Sequence, residues 1–216
     1  GAAALFSLGM LVLKAERGGR AAPRDFAATL RRALKDKRLL LLLIGVALLN
    51  ETHQMVTVFL NQLQYVKCGL SDAAIGYLYV AVTLTGLCGV FSARLTRRAG
   101  PVRMGALLMA AAAASCALLA FTASAWLSAA CVLLLRAAFS LFQPLQTELQ
   151  NRRVHSGNRA TELSLNAMIV DGVGVGTNVA FGALAERSLP GALLLGAGLC
   201  AAGALLFAAG NRKLSG

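Results

Sequence analysis

Three charged residues lie near the middle of segments that are otherwise long and apolar: Glu51, Arg136 and Asp171. Each lies about 12 residues into its segment, or about 15–20 Å along a helix, which is near the midplane of a hydrocarbon core about 30 Å thick. A charge at that depth costs about 2.5–3.5 kcal/mol on insertion scales. Three charges kept at one depth therefore indicate a polar site where charges pair, protons bind or a charged solute is held.

The two carboxylates outnumber the single guanidinium at this depth. One carboxylate can pair with Arg136, and the other then lies in a low-dielectric region that favours its protonated form. Glu51 and Asp171 are therefore candidate proton-coupling residues, although a purely structural or substrate-binding role fits the same pattern. His53 is either a proton relay or a side chain that makes an ordinary helix contact.

Polar side chains recur along one face of the first apolar segment, at i, i+4, i+7, i+11 and i+14: Asn50, Gln54, Thr57, Asn61 and Gln64. On a regular helix they lie within about 40° of one line. Unsatisfied amides in hydrocarbon cost several kcal/mol each, so this face must meet other helices or a water-filled cavity. Two later segments repeat the pattern: Arg136, Ser140, Gln143, Thr147 and Gln150, and then Ser164, Asp171 and Asn178.

These faces predict a substrate-binding site that combines side chains from three helices: Asn50, Gln54, Asn61, Arg136, Gln143 and Asn178. Pro144 should kink its helix and free a carbonyl that needs another partner. Gly172 and Gly176 have the GxxxG spacing, which lets a second backbone approach closely.

The elements that position these residues follow from composition. Only 14% of the 216 residues are charged, against about 25% in soluble domains, and the mean hydropathy is +0.68, so the lipid bilayer is the expected surrounding. The sequence predicts an all-α, polytopic transmembrane six-helix bundle over residues 39–210. The predicted spans are Leu39–Tyr65, Ala73–Leu95, Val102–Thr122, Ala125–Leu149, Ala160–Ala185 and Pro190–Gly210.

The N-terminal region is interpreted differently. Ala2–Leu13 is a short apolar run with its basic residues after it, unlike a signal peptide, so residues 1–13 are interpreted as the end of a longer helix whose start is missing. Residues 14–38 form a basic linker. Its Phe26, Leu30 and Leu34 recur every four residues, which fits either an amphipathic helix on the membrane surface or an ordinary linker. Residues 211–216 are a short tail.

The net charge of +12 is distributed unevenly. Lys and Arg concentrate in alternate connections and near the C-terminus, which the positive-inside rule places in the cytoplasm, and we expect a plasma membrane of bacterial type. Nucleic-acid binding is excluded because basic and aromatic residues do not interleave. No metal or cofactor motif occurs, and no paired-Asp motif or Ser–His dyad suggests an enzyme.

Two stretches resemble the major facilitator superfamily. Gly89–Arg103 reads GVFSARLTRRAGPVR and is similar to that family's loop motif G-x-L-A-D-R-x-G-R-R, although Ala93 stands where the family often has Asp. Asn158–Glu186, NRATELSLNAMIVDGVGVGTNVAFGALAE, resembles its eleventh helix, and the basic linker resembles its central loop. The resemblance implies a gating loop with these residues: Gly89, Arg94, Arg97, Arg98, Gly100 and Arg103.

The resemblance further implies that the chain is the end of helix six and helices seven to twelve of a twelve-helix protein. The partner would then be an N-terminal six-helix half that is missing here, with a small-molecule solute bound between the halves and moved by alternating access. The sequence therefore predicts a secondary active transporter, and proton coupling is one of the two interpretations of its carboxylates. The alternative is a membrane sensor or assembly scaffold that transports nothing.

Overall fold

The computed structural model describes residues 30–154 and 159–211, apart from Arg32. Six helices long and apolar enough to span a membrane fill nearly all of this part, without a strand: α1 Lys37–Lys67, α2 Asp72–Ala99, α3 Pro101–Phe121, α4 Ala125–Asn151, α5 Arg159–Arg187 and α6 Leu189–Gly210. The predicted all-α, six-helix transmembrane fold is confirmed. The predicted helix end at residues 1–13, most of the basic linker and residues 212–216 lie outside the described part.

Short polar caps set where the helices begin. The Asp36 carboxylate accepts hydrogen bonds from the backbone N–H groups of Arg38 and Leu39, at 3.0 and 3.1 Å, so α1 starts two residues before the predicted Leu39. Upstream of Asp36, residues 30–31 and 33–35 are helical. Serine side chains cap three further helices in the same way: Ser71, Ser124 and Ser188.

The core of the bundle lies where α6 packs between α1 and α3. Phe207 of α6 is fully buried and makes an edge contact with Phe142 of α4, with ring centroids 5.4 Å apart. A Cβ on Gly105 would collide with the Phe207 ring, and one on Gly45 would lie 2.9 Å from the carbonyl oxygen of Gly203. Small residues therefore let these three helices approach closely, as in other lipid-embedded bundles.

Helix α1 is not a regular α-helix along its whole length. It runs as α-helix over Lys37–Gln54, as π-helix over Met55–Leu60, and as α-helix again over Asn61–Lys67. The wider π turn rotates the second part by about 100° relative to a continuous α-helix. Gln54, before the π stretch, is exposed, whereas Asn61 and Gln64, after it, are fully buried, so the prediction of one straight polar line is wrong.

Helix α2 contains a 3₁₀ stretch, Gly86–Phe91, and continues as α-helix to Ala99. Only Gly100, with a φ of 80° that suits glycine, connects it to α3, which begins at Pro101. Most of the predicted gating loop therefore lies in helices. Helix α2 continues through the arginines and ends just before Gly100. The loop residues on α2 are Gly89, Arg94, Arg97 and Arg98, while Arg103 lies in the first turn of α3.

Helix α4 stays helical through Pro144, and α2 packs against it there. Proline has no N–H, so the carbonyl of Ser140 loses its helical partner. Gly89 brings the backbone of α2 against that carbonyl, since a Cβ there would lie 2.9 Å from the Ser140 oxygen. The hydroxyl of Ser92 donates to the next carbonyl, Leu141, at 2.6 Å. Helix α2 thus contacts α4 at this point, and its hydrogen bond goes to the Leu141 carbonyl; a new partner for the Ser140 carbonyl stays a prediction.

Arg153, just after α4, connects the C-terminal ends of α4 and α6. Its guanidinium donates to the Gly210 carbonyl and to Asn211 Oδ1, both at 2.9 Å, which caps the C-terminus of α6. Burial lowers the pKa of Arg153, Asp36 raises it and Arg38 lowers it, but an arginine stays charged in proteins. This contact ties α4 to α6.

Candidate functional site

A cavity of about 340 Å³ opens between α1, α4 and α5, within the size range of small-molecule sites. Its lining residues come from all three helices: Asn50, Glu51, His53, Gln54, Val58, Phe139, Val170 and Asp171. Four of the residues predicted as substrate-binding or proton-coupling are among them, namely Asn50, Glu51, Gln54 and Asp171. Of the three charges of equal depth in the sequence, the two carboxylates line this cavity and Arg136 does not.

The two carboxylates line the same cavity. Glu51 also interacts with the side chain of Asn178, so Asn178 joins the site through Glu51. Gly174 makes room for this arrangement, because a Cβ there would lie 2.8 Å from Glu51 Oε1. Neither Glu51 nor Asp171 forms an ion pair with a basic side chain in the described residues.

Arg136 contacts His53, not a carboxylate as its position in the sequence suggested. Its Nη1 lies 3.3 Å from His53 Nε2, and its Nη2 lies where a side chain on Gly86 would otherwise be. The Nε atom is buried and has no hydrogen-bond partner in the described part of the chain. A guanidinium only donates, so His53 Nε2 must be the unprotonated nitrogen, and the imidazole is neutral in this arrangement.

His53 separates Arg136 from the cavity. Its ring stacks on Phe139, with centroids 3.8 Å apart and planes 9° apart, and both rings line the cavity. His53 thus makes a contact between α1 and α4, and its role as a proton relay stays a prediction. Sequence reasoning missed Phe139, although it lies three residues after Arg136 on the same face of α4, and it missed Gly86, whose role depends on a different helix.

Two predicted substrate-binding residues lie elsewhere. Asn61 donates to the Thr57 carbonyl at 2.8 Å and accepts from the Tyr79 hydroxyl at 3.3 Å, so it joins α1 to α2. Gln143 lines a more open cavity of about 750 Å³ at the C-terminal end of α4. Arg152 pairs with Glu148 beside that cavity. Solute contact by Asn61 or Gln143 stays a prediction.

The glycines of α5 pack differently from the GxxxG prediction. Positions Gly172 and Gly176 have no atom within 4 Å of an added Cβ, so no described backbone approaches them. Gly174 is the glycine of this stretch that meets another helix. The four arginines of the predicted gating loop are all exposed. In the residues that the structure describes, no cluster of three His, Cys, Asp or Glu could hold a metal.

Comparison with protein families agrees with the six-helix membrane architecture. A family model described as Major Facilitator Superfamily matches residues 1–176. Neither the curated proteins nor the solved structures gave a significant match. The matched region covers α1 to α4 and most of the cavity-lining part of α5, and the chain belongs to the Major Facilitator Superfamily of membrane transporters.

Proposed function

We propose that this chain is the C-terminal six-helix half of a secondary active transporter that moves a small solute by alternating access. The cavity between α1, α4 and α5 is its part of the solute site. The observation that carries this proposal is the convergence of Asn50, Glu51, Gln54 and Asp171 on one cavity at mid-depth of the spans. Polar groups at that depth are costly, and in membrane proteins they usually mark a solute or ion pathway.

Proton coupling through Glu51 and Asp171 is part of the proposal. The two carboxylates line one cavity and have no basic partner in the described residues. A proton on either one would reduce the negative charge of that wall. Proton binding and solute binding would then compete or cooperate at the same cavity, which is what coupling requires.

We also propose that the basic end of the bundle faces the cytoplasm of a bacterial cell. Large aromatic side chains are exposed at the opposite end, with Tyr77, Phe121 and Trp126 at 77%, 79% and 88%. Tyr and Trp favour membrane–water interfaces, and cytoplasmic connections favour Lys and Arg. At the basic end, Arg94, Arg97, Arg98 and Arg103 would regulate closure of the inward-facing side.

Solute uptake into reconstituted vesicles tests the transport proposal. The complete gene product is placed in vesicles, a proton gradient is imposed, and the accumulated solutes from a metabolite mixture are identified by mass spectrometry. Gradient-dependent accumulation should be lost in Glu51→Gln with Asp171→Asn and kept in Glu186→Gln, which changes an exposed residue outside the cavity. A folded protein that accumulates nothing would favour the sensor or scaffold alternative.

A further inference from the structure

The charged groups that line the cavity among the described residues are both carboxylates, Glu51 and Asp171. The Oδ1 atom of Asn50 is buried with no partner in the described part of the chain. No lysine or arginine lines the cavity among the described residues. A solute that pairs with these carboxylates brings N–H donors and a positive charge.

The rest of the wall is apolar. Val58 and Val170 contribute aliphatic surface, and Phe139 contributes an aromatic ring that attracts cations. The volume of about 340 Å³ is the part of the proposed site that this half contributes. On the basis of the proposed transport function, we propose that the solute is a protonated amine with an apolar or aromatic body.

Arg136 is the obvious alternative, since it would select an anion. However, its Nη1 is directed at His53 Nε2, its Nη2 lies against Gly86, and its Nε is buried. It is absent from the cavity wall, and the stacked rings of His53 and Phe139 lie in that wall instead. An anion in the cavity would meet two carboxylates before it reached the guanidinium.

Three probes of the same shape distinguish these charges. Benzylamine is a cation at neutral pH, benzyl alcohol is neutral and benzoate is an anion. Equilibrium binding of each radiolabelled probe is measured with the complete gene product in lipid nanodiscs. We expect benzylamine to bind and the other two not to bind. Glu51→Gln and Asp171→Asn should each weaken benzylamine binding about tenfold or more, and Glu186→Gln should leave it unchanged.

The other outcomes overturn the inference in different ways. Benzoate binding that is abolished by Arg136→Gln would mean that the site selects anions, and transport would stand while the amine proposal fell. Preferential binding of benzyl alcohol would remove the role of charge. If no probe bound, and the vesicles that test transport also accumulated no solute, the cavity would not be a solute site and both proposals would fail.

Discussion

Gly174 offers the sharpest test of the cavity, because it lies directly against Glu51. In Gly174→Ala the added Cβ would be 2.8 Å from Glu51 Oε1 and 2.9 Å from the carboxylate carbon. Ordinary contact begins at 3.4 Å. The carboxylate must therefore move by about 0.6 Å, and the flexible side chain can do so without disturbing the backbone.

The matched control is Gly172→Ala, two residues earlier on the same helix, where an added Cβ meets nothing within 4 Å. Both substitutions carry the same gain in helix propensity, up to roughly 1 kcal/mol, so that term cancels in the comparison. The difference between the variants is the displacement of Glu51. A shift of about 1 Å in a binding group can cost about 100-fold, so a shift near half of that predicts a loss of about tenfold.

Gradient-driven solute accumulation in vesicles and benzylamine binding in nanodiscs are the two measurements. We expect Gly174→Ala to lower both by about tenfold and Gly172→Ala to change neither, with similar melting temperatures for the two proteins. Equal activity in the two variants would refute the assigned place of Glu51 in the site. A large drop in melting temperature for Gly174→Ala alone would mean that Gly174 serves packing and not the position of the carboxylate.

Three further substitutions test the packing around the site. Gly89→Ala places a Cβ 2.9 Å from the rigid carbonyl oxygen of Ser140, and overpacking of this kind should destabilise the protein by about 1–3 kcal/mol in thermal melting. Arg153→Ala removes both hydrogen bonds that cap α6 and should cost about 1–3 kcal/mol in the same measurement. His53→Phe keeps a ring against Phe139 but removes the acceptor for Arg136, and the unpartnered donor should cost about 1–3 kcal/mol.

Each of these has a control in the same helix or turn. Gly76→Ala on α2 adds a Cβ in open space and should not destabilise. Arg152→Ala removes an exposed ion pair and should change stability by less than about 1 kcal/mol. His53→Gln retains an acceptor and should recover part of the loss. If any control lost as much stability as its partner, the corresponding contact would not be the cause.

Depth along a helix was enough to predict that Glu51 and Asp171 lie beside one cavity. The positions of Glu51 and Asp171 within their spans placed both on one cavity with Asn50 and Gln54, because a bilayer of fixed thickness aligns the midpoints of separate helices. The spans themselves were predicted to within a few residues. These predictions needed only length, hydropathy and the pitch of a helix.

Other features depend on contacts between helices and could not be predicted. The π stretch Met55–Leu60 rotates Asn61 away from the cavity, and nothing in its apolar sequence indicates it. The sequence predicts a carboxylate as the partner of Arg136, because a guanidinium and a carboxylate carry opposite charges. The acceptor is instead His53, since helix packing brings His53 and Gly86 next to the guanidinium.

The contact between α2 and α4 restricts substitution on α2 more than on α4. The groups that α4 contributes are the carbonyls of Ser140 and Leu141, which every amino acid carries. On α2 the contact needs the absent side chain of Gly89 and the hydroxyl of Ser92. In a saturation library, position 141 should therefore accept many residues so far as this contact is concerned, whereas position 89 should accept almost none. Sequence variation would then be restricted on one side of an interface that both helices share.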